Sequence, residues 1–535
     1  MQEANRTKSP SRALGRISPV AGAVLALSLL AGCQTSPLQQ SPETANSSVG
    51  TGSAQTAGEQ HGKAKTPPAP KPVVITNLWD RIIPGLAMNL DQDEPRIRAE
   101  LHYYRRHQGY FDRVINRASP YLYHIVEEVQ ERNMPMEMAL LPVVESAFDP
   151  FAYSHGRAAG LWQFIPSTGR HYGLKQNWWY DGRRDILAST DAALDYLQEL
   201  HDEFNDWELA LAAYNAGRGT VASAIRKNRK KGKPTDFWSL SLPRETTAYV
   251  PRLIAISKIV RDSDTHNITV NRVANKPYFD VVETGQQIDL ARAASLAKID
   301  IDELYRLNPG FNRWATDPEG PHHLLVPIDK ADHFRQVLTS LPAERRLQWQ
   351  RYTIRSGDSL LTISKRYQTS VDLIKEVNNL TSNTIVAGKA LLIPVPSEDS
   401  EAYALSAEQR KLARQSRSVS GRQKMQYQVK PGDSFWLIAK EYDVNVRALA
   451  KWNSMAPTDT LRAGQQLVIW TEPGKENSGI IRKVNYQVRN GDNLSLIAGR
   501  FNVKVNQIKQ WNTLPGKYLQ PGQQLTLYVD VTSTN

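Results

Sequence analysis

The sequence predicts a multidomain protein: one mainly α-helical domain followed by small βααβ modules of the α+β type. Three observations predict it. Apolar residues recur at helical spacing from Asn77 to about Asp262, with few alternating strand patterns between them. A strand–helix–helix–strand pattern then recurs three times behind one shared signature. At 535 residues the chain is also longer than a single hydrophobic core organises.

At the N-terminus, Arg6, Lys8, Arg12 and Arg16 precede a short apolar run from Ile17 to Leu30. This is the pattern of a secretory signal over residues 1–32, too short for a comfortable membrane span. The run ends Leu30-Ala31-Gly32-Cys33, which resembles the bacterial lipobox. That resemblance implies cleavage before Cys33 and lipidation of its sulfur. With Gln34 rather than an aspartate next, it also implies export to the outer membrane. Several acyl chains on one cysteine meet the two-signal requirement for stable anchoring, so the membrane is an expected partner. The alternative is an ordinary signal peptide with a chance cysteine.

Cys33 is the one cysteine, which excludes an internal disulfide framework and a cysteine-type zinc site. The 11 histidines form no HExxH or similar cluster, and His322-His323 reads as a surface pair. No metal or cofactor is expected. Residues 33–76 are rich in Ser, Thr, Gln, Pro, Ala and Gly and read as a flexible tether, locally stiffened at Pro67 to Pro72.

The helical domain is expected over 77–265, with helices near Glu94 to Gln108, Pro120 to Arg132, Thr190 to Phe204, Trp207 to Ala216 and Arg244 to Arg261. Ser119-Pro120 reads as a start signal, with serine as cap and proline at the first helical position. Three stretches in this domain carry chemistry. Ala139 to Pro150 (ALLPVVESAFDP) places Glu145 at the end of an apolar run, where a carboxylic acid keeps its proton to unusually high pH. Gly160 to Phe164 reads GLWQF, and Ala213 to Gly217 reads AYNAG. Asp149, the nearest second acid, precedes Pro150 and reads as a turn residue. Trp178-Trp179-Tyr180 reads as a hydrophobic cluster, with a place in the wall of the cleft as the alternative.

The segment 278–328 has the order βααβ. The same order recurs at 351–395, 426–470 and 485–529, with a polar linker at 396–425. The copies open with Tyr352 to Ser359, Tyr427 to Ser434 and Tyr486 to Asn493, and in each an Asn (378, 453, 512) lies 21 residues after the Gly. These three repeats resemble the lysin motif (LysM), a βααβ module that binds N-acetylglucosamine-containing glycans. The resemblance implies sugar contacts at Gly357, Asp358 and Ser359, at Gly432, Asp433 and Ser434, and at Gly491, Asp492 and Asn493. Turn chemistry and helix capping explain the same residues equally well, and the three Asn residues read as structural. The 278–328 segment resembles a divergent copy, with Gln286 where the others have Asp and a Gly-to-Asn distance of 23.

Glu145-Ser146, GLWQF, AYNAG and the run Glu245-Thr246-Thr247-Ala248-Tyr249-Val250 resemble the lysozyme-like catalytic domain of family 1 lytic transglycosylases. The resemblance implies cleavage of the MurNAc–GlcNAc bond of peptidoglycan without water, leaving 1,6-anhydro-MurNAc ends. Glu145 would act first as acid and then as base. An ordinary retaining glycosidase instead uses two carboxylates about 5–5.5 Å apart. Gln163, Trp162, Phe164, Tyr214, Asn215 and Tyr249 are the implied substrate-binding or positioning residues. Ser146 either bonds the carboxylate or substrate, or caps the helix end. Of Trp162 and Phe164, one would stack on sugar and the other fill the core. His155 and Arg157 either meet peptide carboxylates or face solvent. A hydrolytic muramidase and a non-catalytic cell-wall anchor remain the alternatives.

The net charge of +12 favours acidic partners. The basic run Arg226 to Lys233 reads as a solvated surface or a polyanion contact, and no nucleic-acid recognition motif accompanies it.

Overall fold

The structure is a computed structural model that describes residues 75–472, 481–501, 503–512, 514 and 519–530. Cys33, the signal-like segment and the tether as far as residue 74 lie outside these residues; the tether's last two, Ile75 and Thr76, are bonded to Asn275. The described residues belong to one compact unit beginning at Val73, and none of their helices is long and apolar enough to cross a membrane.

The helical domain is built around the helix Glu137–Ser146, where Met138, Ala139, Leu140 and Leu141 are all buried. A helix that is apolar on every face belongs inside a core, and this one packs against the long helix Arg244–Arg261. Its first turn carries a fully buried carboxylate, Glu137, which accepts the backbone N–H groups of Ala87 (3.1 Å) and Met88 (2.9 Å). These two bonds tie the helix start to the preceding loop and satisfy a charge that burial alone would make costly. The helix ends in two successive left-handed residues, Ala147 (φ 51°) and Phe148 (φ 53°), which turn the chain sharply just after Glu145.

The remaining helices follow the apolar periodicity, with shifted ends. The expected 94–108 helix breaks into Pro95–Tyr104 and the start of Gln108–Ala118. The 190–204 helix begins a turn earlier, as Ile186–Phe204, because Asp185 caps it by accepting the Ala188 N–H. Ser119 is not a helix start. It closes the preceding helix, its hydroxyl donating to the Ile115 carbonyl at 2.9 Å, and the next helix is Leu122–Glu131. Burial of Leu122, Ile125, Val126 and Val129 sets that register and outweighs the local Ser-Pro signal.

The divergent module pairs Phe279–Glu283 antiparallel with His323–Pro327 across the helices Leu290–Ala297 and Ile301–Leu307. It does not stop at 328. The helix Ile328–Ser340 packs on its first strand and buries Ala331, Phe334 and Leu338. The module is fused to the helical domain rather than strung beside it. The Asp181 N–H donates to the Gly310 carbonyl (2.8 Å), the Asn312 N–H to the Trp179 carbonyl (2.7 Å), and Lys175 pairs with buried Asp317 (2.9 Å). Trp179 and Tyr180 are core residues of this junction, packed with Phe311 and Trp314.

The three repeats form two-stranded sheets: Gln348–Thr353 with Ala390–Val395, Gln423–Gln428 with Gln466–Thr471, and Ile481–Gln487 with Gln524–Asp530. One device recurs in all four modules. The Asn side chain donates to a carbonyl in the last turn of the second helix and to a carbonyl of the closing strand, and accepts that strand's N–H. In the second repeat Asn453 is fully buried and bonds the Leu449 carbonyl (2.8 Å), the Val468 carbonyl (2.8 Å) and the Val468 N–H (2.7 Å). Asn378, Asn512 and, in the divergent module, Asn308 do the same. This shared clasp marks the divergent module as built on the same plan.

The 396–425 segment is a packed strap, not a free linker. Buried Tyr403 donates to Asp289 (2.8 Å), as does the Ser397 hydroxyl (2.9 Å), and the helix Ala407–Ser416 follows. Replacing Asn453 by alanine strips three buried bonds, which should cost about 2–4 kcal/mol. In the full-length protein, hydrogen–deuterium exchange should then accelerate across 423–471 and stay unchanged in the helical domain.

Candidate active site

Glu145 occupies the last turn of Glu137–Ser146 and faces a cleft of about 630 Å³, lined also by Gln163, Phe164, Tyr214, Asn215, Glu245 and Tyr249. The three motif stretches and the Glu245 to Val250 run therefore meet around one carboxyl group. The Tyr249 hydroxyl donates to Glu145 Oε1. Burial pushes the Glu145 carboxyl up to about 7; the Tyr249 bond pulls the other way, and the negative charge of Glu245 adds a smaller upward push. The phenol of Tyr249 is itself driven well above its ordinary range by burial, so it stays a donor at any physiological pH.

Each neighbour has a defined task. Ser146 does not touch the carboxylate. Its hydroxyl reaches the Pro142 carbonyl (3.2 Å) and the Leu161 carbonyl (3.0 Å), fastening the helix end to the GLWQF loop. These side-chain bonds add to the backbone closure of the helix end, where the Ala147 N–H donates to the Val143 carbonyl and the Phe148 N–H to the Pro142 carbonyl (both 3.2 Å). Tyr214 likewise makes no bond to Glu145. Its hydroxyl donates to the Trp162 carbonyl at 2.8 Å, while its ring lines the cleft. Asn215 accepts from the Thr246 hydroxyl (2.8 Å), joining the AYNAG turn to the long helix that bears Tyr249.

Trp162 is a correction to the expected substrate contacts. It is fully buried, its indole N–H bound to Thr190 Oγ1 at 3.0 Å, and presents no face to the cleft. Phe164 is the aromatic of that pair that borders the cavity. Gln163 sits in the left-handed region (φ 50°), and its amide donates to the Gly160 carbonyl at 2.8 Å, which leaves its Oε1 for a ligand in the cleft. Gly160 is required twice over. Its φ is 82°, and a Cβ there would lie 2.0 Å from the Arg183 carbonyl oxygen.

Asp149 is a turn residue that accepts the Phe151 N–H. Glu245 is the second acid of the cleft, which the sequence presented only as part of a motif. It is exposed, so its charge is solvated and leaves Glu145 as the enclosed acid. Thr168, Tyr196, Arg252 and, from the second repeat, Arg447 also line the cleft. No local pattern marked them, since each is brought in by a different element. Arg157 faces solvent, as one of its two expected readings had it, and from there pairs with Asp459 of the second repeat.

In the repeats the signature residues are largely structural. Asp358, Asp433 and Asp492 each accept the hydroxyl of their module's Tyr (352, 427, 486) and the N–H of the residue three positions earlier. Ser359, Ser434 and Asn493 cap the first helix of each module. Gly357, Gly432 and Gly491 are left-handed (φ 86°, 90° and 86°), with open space around them. Arg226, Lys227 and Arg229 to Lys233 are exposed. No group of metal-ligating side chains occurs among the described residues.

A helical domain with a glutamic acid at the floor of a cleft, followed by βααβ modules, is the combination that known cell-wall lytic proteins share. The Transglycosylase SLT domain model matches residues 123–237. The model "Lytic transglycosylase MltD, LysM-like domain" matches 278–343, and the LysM domain model matches 352–394, 427–470 and 486–527. The membrane-bound lytic murein transglycosylase D of Escherichia coli (strain K12) is 37% identical over 465 residues, 84% of this chain and 97% of the relative. The chain belongs to the membrane-bound lytic murein transglycosylase D family. Two partial relatives accompany it. A protein of Alteromonas sp. (strain M-1) named for tributyltin chloride resistance is 48% identical over 122 residues, 23% of this chain and 59% of its own. The N-acetylmuramoyl-L-alanine amidase sle1 of Staphylococcus aureus (strain bovine RF122 / ET3-1) is 28% identical over 193 residues, 34% of this chain and 54% of its own.

The raised Glu145 pKa has a stability consequence. The fold favours the protonated form, so wild-type stability falls as pH rises from the unfolded value near 4.3 to about 7. Glu145→Gln removes that titration. Its stabilisation relative to wild type should grow by up to about 3 kcal/mol between pH 4 and pH 8, measured by denaturant unfolding at both pH values.

Proposed function

We propose that this protein is a peptidoglycan lytic transglycosylase that cleaves the MurNAc–GlcNAc β-1,4 bond and leaves 1,6-anhydro-MurNAc ends. The observation that carries this reading is the enclosed Glu145 carboxyl, half protonated near neutral pH and fixed by the Tyr249 hydroxyl. Protonated, it donates to the leaving glycosidic oxygen. Ionised after that transfer, it accepts the proton of the same sugar's 6-hydroxyl as that oxygen closes on the anomeric carbon. The attacking group is already part of the bound substrate, which supplies the effective-molarity gain of an intramolecular reaction. Tyr249 steadies the carboxylate between the two roles. Gln163 Oε1 orients sugar against a wall backed by the largely buried Phe164, while Ser146, Tyr214 and Asn215 hold the surrounding loops in register.

The LysM modules bind the glycan and hold the enzyme on its polymer, through backbone and loop surfaces at Gly357 to Ser359, Gly432 to Ser434 and Gly491 to Asn493. A lipid on Cys33 anchors the chain in the bacterial envelope, at the outer membrane, and the 33–76 tether gives it reach. Mass spectrometry of fragments released from purified sacculi tests the reaction. Anhydro-muropeptides should appear with wild type and vanish with Glu145→Gln. Reducing ends would make the enzyme a hydrolase, and no soluble fragments would make it an anchor.

The same reading sets the pH profile. Removing the Tyr249 donor takes away a bond to the ionised form, so Tyr249→Phe should raise the Glu145 pKa. The alkaline limb of the rate profile should move to higher pH, with a lower maximal rate because the ionised carboxylate is a poorer-held base.

A further inference from the structure

Away from the cleft, a cavity of about 340 Å³ lies where the helical domain, the divergent module, the strap helix Ala407–Ser416 and the second repeat converge. Its charge is one-sided. Arg183, Arg184, Arg313, Arg410, Lys411 and Arg414 line it against a single carboxylate, Asp181. Asp181 is already taken by Arg183 in a two-point pair (2.9 and 2.8 Å). Arg184 is more than nine-tenths buried; one Nη reaches the Asn312 amide oxygen (3.0 Å) and lies 3.7 Å from the shared Asp181 carboxylate, while its Nε has no partner among the described residues. Arg410 lies over the Phe151 ring (4.3 Å to the centroid) and donates to the Leu405 carbonyl, with no carboxylate in contact. Arg313 stacks on Trp178 (4.0 Å) with its acid, Glu408, at 3.8 Å. Counting Asp149 as well, whose charge reaches Arg184 and Arg410, cations still outnumber anions by three.

Burial without enough counter-charge holds the guanidiniums of Arg184 and Arg313 below their ordinary range and pulls Arg410 down to about 9, with the Arg184 charge adding to the effect on Arg410. Folding has thus gathered cations from three separate segments at a net electrostatic cost. An added anion would relieve it.

The cavity adjoins a second one that borders the catalytic cleft. Phe151, Tyr153 and Arg414 also line a neighbouring cavity of about 760 Å³. Ser154 and His155 line that cavity and the Glu145 cleft alike. The arginines and Glu145 therefore face cavities that adjoin through a third, on the side of the cleft lined by Ser154 and His155.

We propose that this cavity binds the carboxylates of the peptide stem carried by the glycan strand that is cut at Glu145; this rests on the proposed peptidoglycan substrate. The guanidiniums recognise carboxylate oxygens by charge-assisted hydrogen bonds, and Phe151 and Trp178 support the planar cations from behind. The chain then distinguishes peptide-bearing strands from bare glycan through residues remote from the scissile bond.

Isothermal titration calorimetry on the full-length protein tests this with three probes: a free stem tetrapeptide, its fully amidated form, and inorganic phosphate. The tetrapeptide should bind, and amidation should weaken it at least tenfold. Arg410→Gln should weaken tetrapeptide binding about tenfold, the loss expected for one charge-assisted bond, without lowering the melting temperature of the free protein. Arg414→Gln, at an exposed position, should weaken it several-fold. No tetrapeptide binding, equal binding of the amidated form, binding of phosphate alone, or a lower melting temperature with unchanged binding would each overturn the assignment. Tetrapeptide binding involves no turnover, so it can fail while cleavage at Glu145 stands, and cleavage can fail while it stands.

Discussion

The hydrogen bond from Tyr249 to Glu145 is the contact on which the site depends. An enclosed carboxyl alone would hold its proton too firmly to act as a base afterwards. A solvated one would lose it too early to act as an acid. Burial raises the pKa and the tyrosine bond restrains the rise, leaving a group near 7 that can do both. The rest of the helical domain serves this balance. Glu137 pins the start of the helix, Ser146 pins its end to Leu161, and the Asn215–Thr246 bond keeps the Tyr249 helix at the right distance.

The sequence exposed the parts whose physics is local. An acid at the end of an apolar helix, a glycine beside a tight turn and a tyrosine-aspartate signature with fixed spacing each leave a mark in nearby residues. The Asn that clasps helix to strand is legible for the same reason, since its partners lie within one module. What stayed hidden depends on tertiary position. Whether Trp162 or Phe164 would fill the core was not legible in the chain, and the loop turns Trp162 inward onto Thr190. Ser119 looked like a helix start, but the burial of Leu122 and Ile125 decided the register. The helix Ile328–Ser340 lies beyond the expected end of the divergent module at 328, because its place there is set by packing on the first strand rather than by a local signal.

The modular reading also changes in kind. Repeats separated by polar segments suggest beads on a string. Here the divergent module shares a core with Trp179 and Tyr180, the strap is pinned on Asp289, and the second repeat touches the catalytic loop through Arg157 and Asp459. Arg447 from that repeat borders the Glu145 cleft. The binding modules are therefore part of the environment of the catalytic group as well as its means of delivery.

The central claim is that Glu145 titrates near neutrality because it is enclosed, with Tyr249 limiting the shift. Selective carbon-13 labelling of glutamate, with Glu145→Gln used to assign the signal, gives the pKa of this carboxyl directly. The account predicts a midpoint near 7 in wild type and a higher one in Tyr249→Phe. A wild-type midpoint at the ordinary glutamate value of about 4.3, or a midpoint that falls when Tyr249 loses its hydroxyl, would contradict it.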